Sequence, residues 1–160
     1  MAVRVPKGII KLPWSLTEYS TGVSLSDGVA NTETEVVEFQ VPRNMSVAVK
    51  AGARFAFYAR DTADAELFDG IVRIVLADAN KTSKFKVYEA PIGAVGGGAS
   101  GGKAAGMVEW ADREKMARVP AGFSRGSDEF LLITYEDKEG KVLDDTEIAL
   151  LLEGVQFVKI

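Results

Sequence analysis

The stretch Glu33–Arg60, ETEVVEFQVPRNMSVAVKAGARFAFYAR, decides how this chain folds. Val37, Phe39 and Val41 alternate with Glu38 and Gln40, the period of two that lays apolar side chains on one face of a strand. Pro42-Arg43-Asn44 punctuates the chain, and Ser46–Lys50 resumes the alternation with Val47 and Val49 inward. Gly52 marks a bend or bulge. Arg54–Arg60 then places Phe55 and Phe57 on one face and Tyr58 and Arg60 on the other.

Downstream the same alternation continues. Asp61–Asp69 is polar and reads as a loop or one helical turn, and Gly70–Ala77 (GIVRIVLA) is a nearly continuous β-branched run. Such a run predicts a central strand covered on both faces. Asn80–Ser83 turns the chain into a strand at Lys84–Tyr88, with Phe85 and Val87 inward. Residues 93–106 hold seven of the sixteen glycines. Glycine is entropically costly to order, so this stretch reads as a long mobile loop that a partner would have to order. Met107–Arg118 stays open between a short helix around Ala111–Met116 and strands near Val108–Trp110 and Lys115–Val119. Turns at Pro120–Gly122 and Ser124–Ser127 precede a buried strand at Glu129–Tyr135, and Asp137–Gly140 is a hairpin-type turn. Thr146–Leu152, with Ile148, Leu150 and Leu152 on one face, and Val155–Ile160 close the series. About eight strands without a βαβ rhythm predict an all-β fold, an antiparallel two-sheet sandwich spanning residues 34–160. A jelly roll is the first choice of topology and an immunoglobulin-like sandwich the second.

Residues 1–33 stand apart. Arg4, Lys7 and Lys11 are the only charges before Glu18, and Pro6, Pro13 and the Ser/Thr/Gly run through Ser15–Thr21 disfavour a helix. The segment reads as an extended N-terminal arm with two alternatives. It is a surface strand and loop packed on its own domain, or it reaches a neighbouring subunit. In the second case Arg4, Lys7 and Lys11 supply a positive face and Trp14 an anchor, aromatic residues being enriched at interface hot spots.

Composition narrows the chemistry. The chain has 160 residues, enough for one domain with its own core, and neither Cys nor His. Disulfides, thiolate nucleophiles, Cys zinc sites, imidazole acid–base catalysis and Ser-His-Asp triads are therefore excluded. With 19 Lys+Arg against 23 Asp+Glu, the net charge of −4 argues against a general nucleic-acid binder. Three Asn, two Gln and no Cys suit a thermophilic source. No run approaches the ~20 apolar residues of a membrane helix. The N-terminus lacks the apolar block of a signal peptide, so a chain made and kept, or assembled, inside a cell is expected.

Three motifs compete as sites. Gly97–Lys103 satisfies G-x-x-x-x-G-K, but Ala104 stands where a phosphate loop needs a hydroxyl for magnesium, and Pro91 separates it from any strand. Asp61, Asp64 and Glu66, and then Asp137, Glu139, Asp144, Asp145 and Glu147, are acidic clusters without Ca²⁺-loop spacing, and read as solvated turn charges. No pair of carboxylates is singled out for glycoside hydrolysis. Trp110–Lys115 reads as a salt-bridged exposed turn. Tyr58, Tyr88, Trp110 and Phe123 read as core or interface aromatics rather than sugar platforms. No catalytic residue, cofactor, metal ligand or small-molecule substrate is assigned.

An arm followed by eight strands, at Glu33–Val41, Ser46–Arg60, Gly70–Ala77, Lys84–Tyr88, Lys115–Val119, Glu129–Tyr135, Thr146–Leu152 and Val155–Ile160, resembles the small single jelly-roll capsid proteins of tailless icosahedral DNA viruses. The resemblance implies a virion structural subunit, assembled in the host cytoplasm, that contacts copies of itself and other capsid proteins. Such shells often surround an internal membrane and a double-stranded genome, and the basic residues Arg4, Lys7 and Lys11 offer a contact for lipid head groups or phosphates. It implies no catalytic residues. A phage head decoration protein, and a non-enzymatic carbohydrate- or ligand-binding β-sandwich, are the alternatives. The charge is polarised: residues 128–147 carry eight acids against two lysines, and residues 1–16 three bases and no acid.

Overall fold

The computed structural model of the chain describes residues 7–61, 70–95 and 117–160. Its strands are β1 (Ile9–Val23), β2 (Ser26–Asp27), β3 (Thr32–Gln40), β4 (Met45–Val49), β5 (Arg54–Asp61), β6 (Gly70–Ala77), β7 (Lys84–Pro91), β8 (Ala117–Arg118), β9 (Phe123–Arg125), β10 (Phe130–Asp137), β11 (Val142–Leu143) and β12 (Thr146–Lys159). A single 3₁₀ turn covers Ile92–Val95.

All pairings are antiparallel. In the first sheet β12 lies between β1 on one side and β5 and β4 on the other, with β8 and β9 beyond them. The second sheet runs β3-β10-β6-β7, and β2 pairs β11 in a small ribbon. β4 and β5 act as one long strand interrupted at Lys50–Ala53: β5 pairs Thr146–Leu152 of β12, and β4 pairs Val155–Val158. Gly52 makes that break possible with a φ of +89°, the left-handed region that glycine enters without penalty. β8 and β9 likewise share one strand position beside β5 and β4. Numbered as eight long strands in chain order, the sheets read 1-8-3-6 and 2-7-4-5, which is the jelly roll that the sequence put first.

Both inner faces meet in one core. Leu16, Phe55, Phe57, Ile148, Leu150 and Leu152 come from the first sheet, and Val37, Val72, Ile74, Leu76, Leu131, Ile133 and Tyr135 from the second. Phe55 meets Tyr88 edge-on across the sandwich at 5.7 Å between ring centroids. β6 is covered on both faces as expected, because Val75, Ala77 and Leu132, with Phe130 packed against them, form a smaller apolar cluster on the outer side of the second sheet.

Three readings are sharpened by the structure. The first concerns the opening segment, where Ile9–Val23 takes the intrachain alternative: it is an edge strand whose register runs from Ile9↔Lys159 to Val23↔Thr146 against the chain's own C-terminal strand. Pro13 is compatible with this place. Ile160 N–H donates to Gly8 O, and Lys159 N–H to Asn44 O of the opposite neighbour, so even-numbered β1 residues bond β12 and Pro13 faces the open edge. The second is at the C-terminus, where Thr146–Leu152 and Val155–Ile160 are one strand. Gly154 lies between them not as a turn but as a point of close approach, since a Cβ there would meet Ala48 O at 2.7 Å and Trp14 Cε3 at 3.0 Å. The third is Phe85, which shares the inward face with Leu76 as expected but lies at the rim on the edge strand β7, 53% exposed with the Arg125 guanidinium of the first sheet 5.9 Å from its ring. A register shift between Ile74 and Val75 inserts Val87 as an extra residue and turns Val87 and Tyr88 both toward the core.

Candidate assembly surface

With the core filled, function has to reside on the outside of the sandwich. The outer face of the second sheet is built by strand alternation. Glu33, Glu35 and Glu38 project from β3, Glu136 from β10, Arg73 from β6, and Lys84, Lys86 and Glu89 from β7. Arg73 is the hub: its Nε is 2.6 Å from Glu89, and one terminal nitrogen lies 3.0 Å from Glu136 and 3.5 Å from Glu33. Lys84 and Lys81 bond Glu35 at 2.8 and 3.3 Å, Lys86 bonds Glu89 at 2.9 Å, Lys81 also pairs with Glu38, and Lys138 with Glu136.

These partners set the protonation states. The Lys84 bond holds the Glu35 carboxyl below its ordinary value against the opposing effect of burial, with Lys81 assisting. Glu89 is lowered chiefly by Lys86 and then by Arg73, and Glu136 chiefly by Lys138. Burial works against the charge on Arg73, but the bonds to Glu89 and Glu136 outweigh it and raise its pKa. Lys81 also roofs the small apolar cluster, with its ammonium 5.0 Å from the Phe130 ring centre. Beside it lies a depression of about 520 Å³, whose lining includes Arg73, Lys84, Glu35, Leu132 and Thr134. Among the described residues every carboxylate that projects from this face meets a cation. This lattice left one signal in the sequence, Glu-x-Glu on β3 and Lys-x-Lys on β7, strands that β10 and β6 separate.

The residues proposed for subunit contact separate. Lys7 and Lys11 are exposed at the end of the sandwich where β1 begins and β12 ends, and neither has an acidic partner among the described residues. Trp14 is half-buried and tilted against Phe39 of the second sheet, 5.4 Å between centroids, and it lies over Gly154. Arg4 lies outside the described residues, as do the Gly97–Lys103 motif, Asp64, Glu66 and Trp110.

The remaining candidates are structural in their placement. Asp137 is fully buried; its carboxylate accepts the Lys141 N–H at 2.7 Å and the Tyr135 hydroxyl at 3.4 Å, which fixes the turn after β10. Glu147 bonds the Tyr19 hydroxyl. Among the described residues no group of three or more acidic side chains is disposed to hold a metal ion. Tyr58 is buried, Tyr88 is half-buried against Phe55, and Phe123 packs against the core, so none of the three presents a sugar platform.

Sequence comparison finds no matching protein family and no matching curated protein. Comparison of folds does find similar structures. The chain is similar to VP17, a capsid protein of bacteriophage P23-77, with a TM-score of 0.53 and 9% identity over 92% of this chain and 98% of that one. It is also similar to a chain of the VP16-VP17 complex of the two major capsid proteins of the same phage, with a TM-score of 0.58 and 8% identity over 94% and 99% of the two chains. At this identity the likeness is one of fold, and it extends over nearly the whole of each chain. The resemblance to jelly-roll capsid proteins of tailless icosahedral viruses, stated from the strand pattern, is therefore present in three dimensions.

Proposed function

We propose that this protein is a virion structural protein, a capsid subunit that assembles into an icosahedral shell with copies of itself and with other capsid proteins. The observation that carries this reading is the end-to-end match of a lone jelly roll to VP17 and to the VP16-VP17 complex, with almost nothing left over in either chain. An outer face on the second sheet whose described carboxylates each meet a cation suits a tile better than an enzyme, and we assign the protein no catalytic activity. Lys7 and Lys11 are the groups we assign to a neighbouring subunit, lipid head group or genome phosphate, together with Arg4; Trp14 supports them from within. Assembly in the host cytoplasm belongs to the same proposal. So does a thermophilic source, which the scarcity of Asn, Gln and Cys supports, as does the ion-pair network on the second sheet.

The test is assembly itself. Purified protein, alone and after co-expression with neighbouring structural genes, is followed by light scattering and electron microscopy. The proposal expects closed particles or regular arrays. A chain that stays monomeric at high concentration and joins no particle in co-expression overturns it, and binding only to preformed heads would reassign it as a decoration protein. The N-terminal variant for this test is a deletion of residues 1–7, which leaves the β1 ladder intact.

A further inference from the structure

At the end of the sandwich where β1 begins, its first sheet outruns its core. Trp14 and Leu16 point inward and are covered, Trp14 by Phe39 of the opposite sheet. Leu12 and Ile10 continue the same inward-facing row of β1, opposite Gln156 and Val158 of β12, yet they are 42% and 43% exposed. Ile160 at the end of β12 is 81% exposed. On the outward face of the same strands, where Ile9 pairs Lys159 and Lys11 pairs Phe157, a hollow of about 300 Å³ is lined by Ile9, Phe157 and Lys159 among others. Among the described residues nothing opposes the inward row of Leu12 and Ile10, and apolar side chains so placed on a sheet face are a docking surface in want of an occupant.

The charge around the overhang says what the occupant is. Lys11 and Lys159 stand on the outward face, beside the hollow, and Lys7 just before β1; none of the three has an acidic partner among the described residues. At the opposite end of the same molecule, the β2–β11 ribbon presents the other half of such a contact. Val29 and Val142 are 57% and 60% exposed there, with Asp27 directly across the ribbon from Val142 and Asp144 two residues beyond it. Both acids are exposed. One end therefore offers a bare apolar row on its inward face and, on its outward face, a hollow lined by Ile9 and Phe157 among lysines, and the other end offers exposed valines beside aspartates.

We infer that the β1/β12 overhang of one copy docks on the β2–β11 end of a second copy, with Lys7, Lys11 and Lys159 facing Asp27 and Asp144. The contact is heterologous, head to tail, so it leaves a free complementary end on each side and propagates unless the rotation closes a ring. Buried apolar residues supply the attraction, and the charges set polarity and rate. The inference does not depend on a shell being formed.

Charge reversal tests it with two variants. One carries Lys7→Glu, Lys11→Glu and Lys159→Glu, and the other Asp27→Lys and Asp144→Lys. All five positions are exposed and none lies in the core, and far-UV circular dichroism verifies that each variant is folded. In sedimentation velocity at low salt, wild type is expected to associate with rising concentration and to weaken as salt is added. Each variant alone should associate roughly tenfold more weakly or less. An equimolar mixture should recover association, because a native acidic end then meets a native basic end, and the two reversed ends also match. Wild-type monomers throughout, unimpaired variants, or a mixture no better than its components overturn the inference. Lysine-dependent flotation on anionic vesicles without self-association would reassign the basic end to a lipid surface, and overturns it too. Closed particles formed equally well by both variants overturn the end-to-end contact while leaving the capsid reading in place.

Discussion

At the scale of single residues, the tightest constraints are two glycines and two threonines. A Cβ on Gly70 would overlap the Tyr135 ring, and one on Gly154 would press on the Ala48 carbonyl and the Trp14 ring. Tyr135 is fully buried and Ala48 O is backbone, so neither neighbour can step aside. Gly70→Ala and Gly154→Ala should each destabilise the protein by about 1–3 kcal/mol, measured as a lower urea midpoint at unchanged slope. The threonines predict the opposite sign. Thr134 and Thr146 are buried and their hydroxyls have no hydrogen-bond partner among the described residues. Valine keeps the shape and removes the unsatisfied oxygen, so Thr134→Val and Thr146→Val should stabilise by about 1 kcal/mol each in the same experiment. Either substitution lowering the midpoint would mean that its hydroxyl is satisfied in solution.

Among the elements, the second sheet holds three carboxyls whose charge the fold favours. Glu35, Glu89 and Glu136 have folded-state pKa values held below the ordinary carboxylate value by Lys84, Lys86 and Lys138 respectively. A carboxyl whose pKa is depressed by folding favours the folded state while ionised. The contribution is full above the unfolded value near ~4.3 and drains away as pH falls through the depressed folded values. Unfolding free energy should therefore be flat from pH 7 to 5 and fall below about pH 4.5. Arg73→Met, which removes a cation common to Glu89 and Glu136, should make that fall shallower. An unchanged slope in the variant would count against Arg73 as the hub. The elements also differ in how far the sequence revealed them. β3, β5, β6 and β10 were legible to within two residues because each alternates, or is buried on both sides. β1 was hidden by Pro13, which the free edge tolerates, and by a row of Ser, Thr and Glu that looks like a loop when its partner strand is unknown. The Arg73 lattice was hidden for the same reason: its members come from β3, β6, β7 and β10, and only register brings them together.

For the whole molecule, the decisive fact is that the first long strand pairs the last. β1 runs along β12 for almost its full length, so the first sheet cannot be finished until the chain's two ends meet. Contacts of such sequence separation must be made after the entropy of closing the loop has been spent, which predicts folding in the millisecond-to-second range. It also separates the two readings of the opening segment by experiment. Had residues 1–33 been a detachable arm, the fragment 24–160 would fold alone. With β1 as a sheet strand, the fragment loses Leu16 from the core and the half-buried Trp14, and it bares the whole edge of β12. Unpaired edges of that length invite aggregation. The fragment is expected to be insoluble or to lack a cooperative thermal transition by circular dichroism. A synthetic peptide spanning residues 7–23, added during refolding, is expected to restore both solubility and the transition, because it supplies the missing strand without a covalent link. Trp14 reports on this directly, since it and Trp110 are the chain's two tryptophans and only Trp14 lies in the peptide. With Trp110 replaced by Phe in the fragment, docking of the peptide should shift its emission to the blue as the ring seats over Gly154 against Phe39. A fragment that folds cooperatively without the peptide would return β1 to the status of an arm.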